Sequence, residues 1–548
     1  MVSRHKRVLG VALLALAAAV PLIGTRGGFH YSHENFRYPV LLNLYEKQLL
    51  TDGFPVRWLP ELAGGYGYPT FVYYPQGVFL LATPLTLGFG MSEVIALAVT
   101  AWVCLFVGGL AMYFAGRRLS GESAGGVMSA GLFLLAPWMA TEIMVRGDLA
   151  EGSALCAGAI TLAVALALAD ENRDRPRRWL RVVGPVVYAA PMVLHPIGGM
   201  MAGLVATLVA GARVLERPRE RRSWRGLIIA NVAGFAMCAW YLVPLATMQD
   251  LVHLNRTTEG YYKSTNHIVE PMQLIRGPYG YGGSAPGPGD EMSFALGVPV
   301  FVAAFLGFRG RRASKTAAAL FGITCLIVTT WFTFLWTDPS PLVRLQFSWR
   351  LLGMATLAAA AAASAAGAYS AHLRWKVVAV LIGLIALFQP SRYAAHPRII
   401  SFGEAHAIVR ETAATLTTVD ERFAGSNEFD PRGIMGMAPL GTRSVVTDAH
   451  GPVPYRKSGS RFDFQVSRAQ GAEIRVAQYY FPGWVATVDG VELPEVKRLP
   501  EGLIGVSLPA GPPAQVSIRY AGVALDKWLV PLAAVTPLAV LLISWRRR

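Results

Sequence analysis

Charge is what this chain has least of. Of its 548 residues, 15% are Asp, Glu, Lys or Arg, whereas a soluble domain carries about a quarter, so an ordinary water-exposed surface is excluded. Cysteine is equally scarce. Cys104, Cys156, Cys238 and Cys325 all stand inside apolar runs at unrelated spacings, which argues against a disulfide framework or a thiolate metal site and leaves them as small core hydrophobes. Acidic residues number 34 against 50 basic ones, and the 10 histidines form no cluster with zinc-ligand spacing.

What is abundant is hydrocarbon. Hydrophobic residues make up 53% of the chain and the mean hydropathy is +0.40, the signature of a polytopic α-helical membrane protein. The formal charge of +16 would suggest a nucleic-acid partner if it formed one stripe, but the basic residues come in short clusters between apolar runs, which is topological. No nucleic acid is expected. Seven clusters (the N-terminal Arg4, Lys6 and Arg7; Arg117-Arg118; Arg173 to Arg181; Arg213 to Arg225; Arg309 to Lys315; Arg374 to Lys376; Arg546 to Arg548) hold 25 of the 50 Lys and Arg and are assigned to the cytoplasm. About twelve spans fit between them, at roughly 8–24, 94–115, 123–138, 149–169, 182–194, 197–212, 226–246, 294–308, 316–336, 351–371, 377–389 and 527–545, with both termini cytoplasmic. The first also begins like a signal peptide, with a basic start and Ala17-Ala18-Ala19, but it runs on through Pro21 and Ile23. The apolar piece 77–90 would invert the following cluster if it crossed, so it is read as a re-entrant or interfacial helix.

Three segments then fall on the outer face: 25–93, 247–293 and 390–526. Phe36 to Leu50 has the pattern of a helix lying along the membrane surface. The segment 247–293 is dense in glycine and proline, as in Gly277-Pro278-Tyr279-Gly280-Tyr281-Gly282-Gly283, and suits a mobile lid. Within 390–526, a helix is expected at 404–423, and from about residue 460 the period changes to two, with Arg461 to Val466, Glu473 to Ala477, Trp484 to Val488 and Gln515 to Tyr520 alternating and Asp489-Gly490 supplying a turn. That predicts an extracytoplasmic β-sandwich tethered by a last span, 527–548 with its Arg tail, behind a membrane module of residues 1–389.

Chemistry-bearing residues concentrate at span ends on the outer side. Glu34, beside His33, can serve as a general base, although a loop carboxylate in that position is more often merely exposed. Arg146-Gly-Asp-Leu-Ala-Glu151 opens one span, His195-Pro196 turns between two, and Arg344, Gln346, Trp349 and Arg350 open another. Outer arginines run against the positive-inside pattern, and an anionic group, a phosphate or a lipid headgroup, would explain them. Arg57, Trp58, Tyr66, Tyr68 and Tyr73, with Gly64-Gly65 and Pro69, read as a shaped aromatic loop able to stack on sugar rings or as an interfacial belt.

At these residues the chain resembles a known group. The outer acidic residue, Pro55-Val56-Arg57-Trp58, Gly65-Tyr66-Gly67-Tyr68-Pro69, Tyr73-Tyr74-Pro75, Arg146 to Glu151, His195, Gln346 to Arg350 and Tyr480-Phe481-Pro482-Gly483-Trp484 look like the YfhO-like membrane proteins, which include the set named for a 6-pyruvoyl-tetrahydropterin-synthase-related domain. That group is similar in layout to the GT-C polytopic glycosyltransferases. The resemblance implies a bacterial inner-membrane enzyme, its site facing the periplasm, that moves a sugar from a polyprenyl-phosphate carrier to a glycan, lipid or protein acceptor. It implies Glu34 and Glu151 as catalytic carboxylates, Arg344, Arg350, Arg146 and His195 near the donor phosphate, and His33, Arg57, Trp58, Tyr66, Tyr68 and Tyr73 against substrate. A divalent cation bridging Glu34 and Glu151 to the phosphate would suit oxygen ligands. Glu34 departs from the aspartate usual in GT-C enzymes, and the pterin name finds no support in the residues. A lipid or polysaccharide transporter, or a non-catalytic envelope scaffold, is the rival expectation, but transporters usually show two related halves and ionisable groups deep in spans.

Overall fold

The computed structural model describes residues 10, 28–34, 36–171, 178–216, 222–277, 280–388, 399–416, 431, 445–468 and 470–545. Apart from Gly10, the expected span 8–24 lies outside them, as do the basic residues at 4–7, 173–177, 217–221 and 546–548, Tyr279 and the 417–423 end of the expected helix.

Among the described residues, five helices are long and apolar enough to cross a membrane: Glu93–Ser120, Leu149–Ala169, Pro196–Leu215, Trp224–Thr247 and Ser348–Ala368. A sixth crossing is available if Ser123–Leu135 and Pro137–Arg146, bent by 41°, act as one. The bend has a local cause, since Ala136 precedes proline, is excluded from helical geometry and sits at ψ 132. Of the other expected spans, Trp179–Leu194 and Val298–Arg309 are shorter apolar helices, below the roughly 20 residues a crossing needs. The piece 77–90 is one short apolar helix, Gly77–Gly88.

The bundle closes around Leu351–Ala363, every residue of which is buried. Its alanine run lets neighbouring backbones approach, the usual device where lipid supplies no hydrophobic drive between helices. The continuation Ser364–Ala368 comes closer still: a Cβ on Gly367 would stand 2.7 Å from the Gly125 nitrogen.

Beyond the helices, the C-terminal region forms two five-stranded antiparallel sheets. One runs, in spatial order, Lys497–Arg498, Leu503–Leu508, Ala472–Tyr479, Val446–Asp448, Gly451–Pro452; the other runs Tyr455–Ser458, Arg461–Arg468, Gly511–Tyr520, Trp484–Val488, Val491–Glu492. Alternation places Phe462, Phe464 and Val466 from one sheet and Ile474 and Val476 from the other in a shared buried cluster. Asp489 and Gly490, at φ 49° and 84°, make the two-residue turn between Trp484–Val488 and Val491–Glu492, the conformation a tight hairpin requires. The strands begin at Val446, earlier than the expected 460.

The helix expected to lie on the membrane surface is Arg37–Asp52, and it lies inside the protein. Tyr38 to Leu42, Leu44, Tyr45, Glu46 and Gln48 are all buried, and Gln48 donates to Ser460 Oγ of the β region at 2.6 Å. Its apolar face is taken up by the protein itself, with Tyr38 packed on Phe79 and Tyr45 on Phe71 and Phe79.

Candidate active site

A cavity of about 1260 Å³ opens where several helices end together. Asp148 caps the N-terminus of Leu149–Ala169, His195 caps Pro196–Leu215, and Arg350 precedes Leu351–Ala363; all three line it. So do His33, Glu34, Arg37, Tyr73, Arg146 and Arg344. The segment 249–293 forms one wall through Gln249, Asp250, Asn255, Tyr261, Tyr281 and Ser284. Its short 3-10 turns carry the hydrogen bonds that regular structure would otherwise supply: His267 Nδ1 meets Ser284 Oγ at 2.9 Å, and Ser348 Oγ donates to the His267 carbonyl at 2.7 Å.

The floor is an ionic cluster centred on Arg146. The π-helical turn Thr141–Arg146, a form that recurs at functional sites, ends at Gly147 with φ 65°. It sets Arg146 against Glu142, Glu151 Oε2 at 2.9 Å and Asp148 Oδ2 at 3.1 Å, with the guanidinium 4.7 Å above the Trp349 ring. Glu151 Oε2 also lies 3.5 Å from Arg350 Nε. Arg350 Nη1 in turn donates to Gln346 Oε1 at 3.0 Å, and Gln346 is held at φ 65°, a strained backbone for a non-glycine residue of the kind found at sites. Burial pushes the Asp148 carboxyl up, but Arg146, then His195 and the Glu151 amide, outweigh it and hold the group well below the usual carboxylate range. Burial lowers His195 against the opposing pull of Glu151 and Asp148.

Glu34 stands at the cavity side, paired with Arg37 Nη1 at 3.1 Å. Its amide donates to the Arg146 carbonyl at 3.1 Å and the His33 amide to the Val145 carbonyl at 2.9 Å, so the first loop is clamped to the strand of chain that carries Arg146. His33 Nε2 donates to the Tyr281 and Gly282 carbonyls at 3.0 and 3.1 Å, tying the same loop to the opposite wall. Tyr73 lines the cavity with its hydroxyl spent on the Met248 carbonyl at 2.7 Å.

The expected site residues therefore divide. Glu34, His33, Tyr73, Arg146, His195, Arg344 and Arg350 come together at one cavity. Glu151 lies directly behind its wall, 1% exposed, gripping Arg146 and Arg350. Four residues go elsewhere. Arg57 bonds the Phe71 and Trp240 carbonyls and the Asp526 carboxylate. Trp58 Nε1 donates to Gln478 at 3.1 Å and packs on Trp484 and Tyr520. Tyr66 stacks on Tyr479 at 5.3 Å, its carbonyl accepting from the Tyr479 amide at 2.7 Å, and Tyr68 is buried beside them. The Trp58 and Tyr66 rings are taken up by the β region and Tyr68 is 1% exposed, so none presents a platform to a sugar. Two residues of the site were missed by sequence reasoning, Arg37 and Glu142; the signals were their i,i+3 and i,i+4 spacings from Glu34 and Arg146.

Asp148, Glu151 and His195 offer ligand atoms within 4.8 Å of one another, which invites a cation. The donor set argues otherwise. Arg146 already bonds both carboxylates, and His195 Nδ1 accepts the Gly198 amide at 3.0 Å, leaving the neutral ring protonated at Nε2 without a lone pair to give. Between Glu34 and Glu151, Arg37 and Arg146 already supply positive charge to one carboxylate oxygen of each.

A polytopic helical protein with an ionic cavity at one end and a β region docked beside it is the class this fold and site define. The chain belongs to the family of membrane proteins described as 6-pyruvoyl-tetrahydropterin synthase related domain, whose model matches residues 71–395. No curated protein matches it. Among solved structures it is similar to the arabinosyltransferase EmbB from Mycobacterium smegmatis, at 12% identity over 93% of this chain and 62% of that one with a TM-score of 0.38. It is also similar to the Archaeoglobus fulgidus oligosaccharyltransferase in the apo form, at 14% identity over 72% and 56% with a TM-score of 0.32. The chain spans less than two thirds of either, and likeness this distant leaves function to be argued from the site.

Proposed function

We propose that this protein is a GT-C-type membrane glycosyltransferase that transfers a sugar from a polyprenyl-phosphate donor to an acceptor on the extracytoplasmic face. The observation that carries the reading is the convergence, at one cavity, of a carboxylate on a clamped loop (Glu34) with the guanidinium groups of Arg146, Arg344 and Arg350. An acceptor hydroxyl gives its proton to Glu34 as its oxygen bonds to the anomeric carbon. The bond from that carbon to the phosphate oxygen breaks, and the lipid phosphate departs with the electron pair onto the arginines, which stabilise charge strongly where water is scarce. Arg37 orients the Glu34 carboxylate. Glu151 is a positioning residue, holding Arg146 and Arg350 towards the cavity. The chain direction supports the sidedness. Leu149–Ala169 runs away from the cavity and Arg178–Leu194 returns, Pro196–Leu215 leaves and Arg222–Thr247 returns, so the described basic residues Arg181, Arg213 and Arg225 fall at the opposite end, the cytoplasmic one by the positive-inside rule.

Glu34→Gln tests the reading in membranes supplied with labelled polyprenyl-phosphate sugar and crude acceptor. Transfer should fall by about 10²–10⁴, the range of general-base catalysis, with donor binding retained. Equal transfer by variant and parent removes Glu34 as base, and a parent that transfers nothing favours a transporter.

A further inference from the structure

A second cavity of about 400 Å³ lies between the helices Arg178–Leu194, Pro196–Leu215 and Arg222–Thr247. Its position sets it apart from a packing defect, because Met200 lines both this cleft and the ionic cavity, five residues along the helix that His195 caps. The cleft thus shares its Met200 wall with the cavity that His195, Arg146 and Arg350 line. It opens sideways: Met200, Leu204 and Phe235 are 52%, 48% and 52% exposed on helices apolar enough to lie in a bilayer, so the opening faces hydrocarbon. Its polar groups are turned inward on one another. Tyr188 Oη meets Thr207 Oγ1 at 3.3 Å, Thr207 donates to Asn231 Oδ1 at 3.2 Å, and Asn231 Nδ2 donates to the Leu227 carbonyl at 2.9 Å. What remains for an occupant is an apolar wall.

We infer that this cleft seats the first part of the hydrocarbon chain of a phosphate-bearing lipid whose headgroup occupies the ionic cavity. The inference rests on the proposed donor and deepens it by naming where its chain goes. Volume, an apolar lining, lateral access from the bilayer and a shared wall with a cationic cavity are together what a one-headed lipid standing in the membrane requires, and 400 Å³ falls in the size range of a specific pocket, about 300–1,000 Å³. A headgroup is refused because no charged residue lines the cleft. Gly203 keeps it open: a Cβ there meets nothing nearer than Met192 Cε at 3.7 Å, so a small side chain is tolerated and a long one fills the space.

The test uses the full chain in lipid nanodiscs with farnesyl phosphate carrying a photoreactive group at its far end. Adducts are expected on the peptides 196–215 and 222–247, competed by unlabelled farnesyl phosphate far better than by farnesol. Gly203→Leu, and independently Leu204→Trp on the exposed rim, should cut that adduct at least tenfold, since each buried methylene is worth about fourfold in affinity. Ile228→Trp, equally lipid-facing at 58% exposure but outside the cleft, should leave it unchanged. Adducts scattered over all exposed helix faces, or unaffected by both cleft variants while farnesyl phosphate still binds, overturn this inference and leave the donor reading standing. Competition by farnesol as strong as by the phosphate overturns the donor reading itself, and with it the phosphate-bearing identity of the occupant.

Discussion

Arg146 is the residue on which the cavity floor depends. Three carboxylates, those of Glu142, Asp148 and Glu151, meet its guanidinium in a setting where they have almost no water. Removing one partner of a buried pair leaves charge uncompensated and costs about 3–5 kcal/mol. Arg146→Ala should therefore lower thermal stability in detergent more than Arg344→Ala, and a differential melting experiment checks the order. The acid response is set beside it. His195 has a folded pKa below its ordinary value because burial disfavours the charged ring, so the unfolded chain binds the proton more readily. Its contribution is complete above about pH 6.5 and is lost as pH falls through the folded value. Asp148, also depressed, adds a loss of the same sign at lower pH. His195→Asn, which keeps a capping acceptor, should flatten the stability-versus-pH curve just below pH 6.5, leaving the Asp148 limb in place; melting temperatures across pH 4–8 read both limbs.

Among elements, the Gly-Tyr-Gly-Tyr-Pro block changed its meaning most. In sequence its tyrosines and Trp58 suit a sugar platform. In space they are the socket for the β region, with Gln478 inserted between Trp58 and the Gly65 carbonyl. Gly67 shows how tight the socket is, at φ +81° with Gln478 Oε1 and the Trp58 ring 2.5 Å from where a Cβ would stand. Gly67→Ala should cost about 1–3 kcal/mol through overpacking, plus the strain of a left-handed backbone, and should make the β region cut sooner under limited proteolysis. The buried Arg57–Asp526 pair at 2.6 Å holds the same joint from the last helix. Neither partner announces the other in sequence, 469 residues apart, because an ion pair of that span is decided by packing alone.

For the whole molecule, sidedness is the claim that binds the rest. If the cavity and the basic clusters lie at opposite ends of the helices, Asn255→Cys, exposed on the cavity wall, should react with a membrane-impermeant thiol reagent in intact spheroplasts. His372→Cys, beside Arg374 and Lys376, should react only after permeabilisation. The native thiols Cys156, Cys238 and Cys325 are buried and Cys104 is partly so, which keeps the background low. Labelling of both sites from the same side would defeat the topology and the proposed reaction with it.

Composition, hydropathy and the spacing of basic clusters determined by themselves that this is a multi-helix membrane protein with its charged residues gathered near helix ends, because lipid admits only self-satisfied apolar helices and tolerates charge only at their margins. Period-two alternation likewise marked the C-terminal strands, since a half-buried strand must alternate. Tertiary structure alone decided which of those end-of-helix residues share a cavity, which carboxylate faces it and which lies behind it, and that a helix fit for the membrane surface is instead packed among the chain's own helices. An amphipathic face specifies only that something apolar must cover it, and a charge only that something must balance it; the identity of the partner comes from packing between distant parts of the chain.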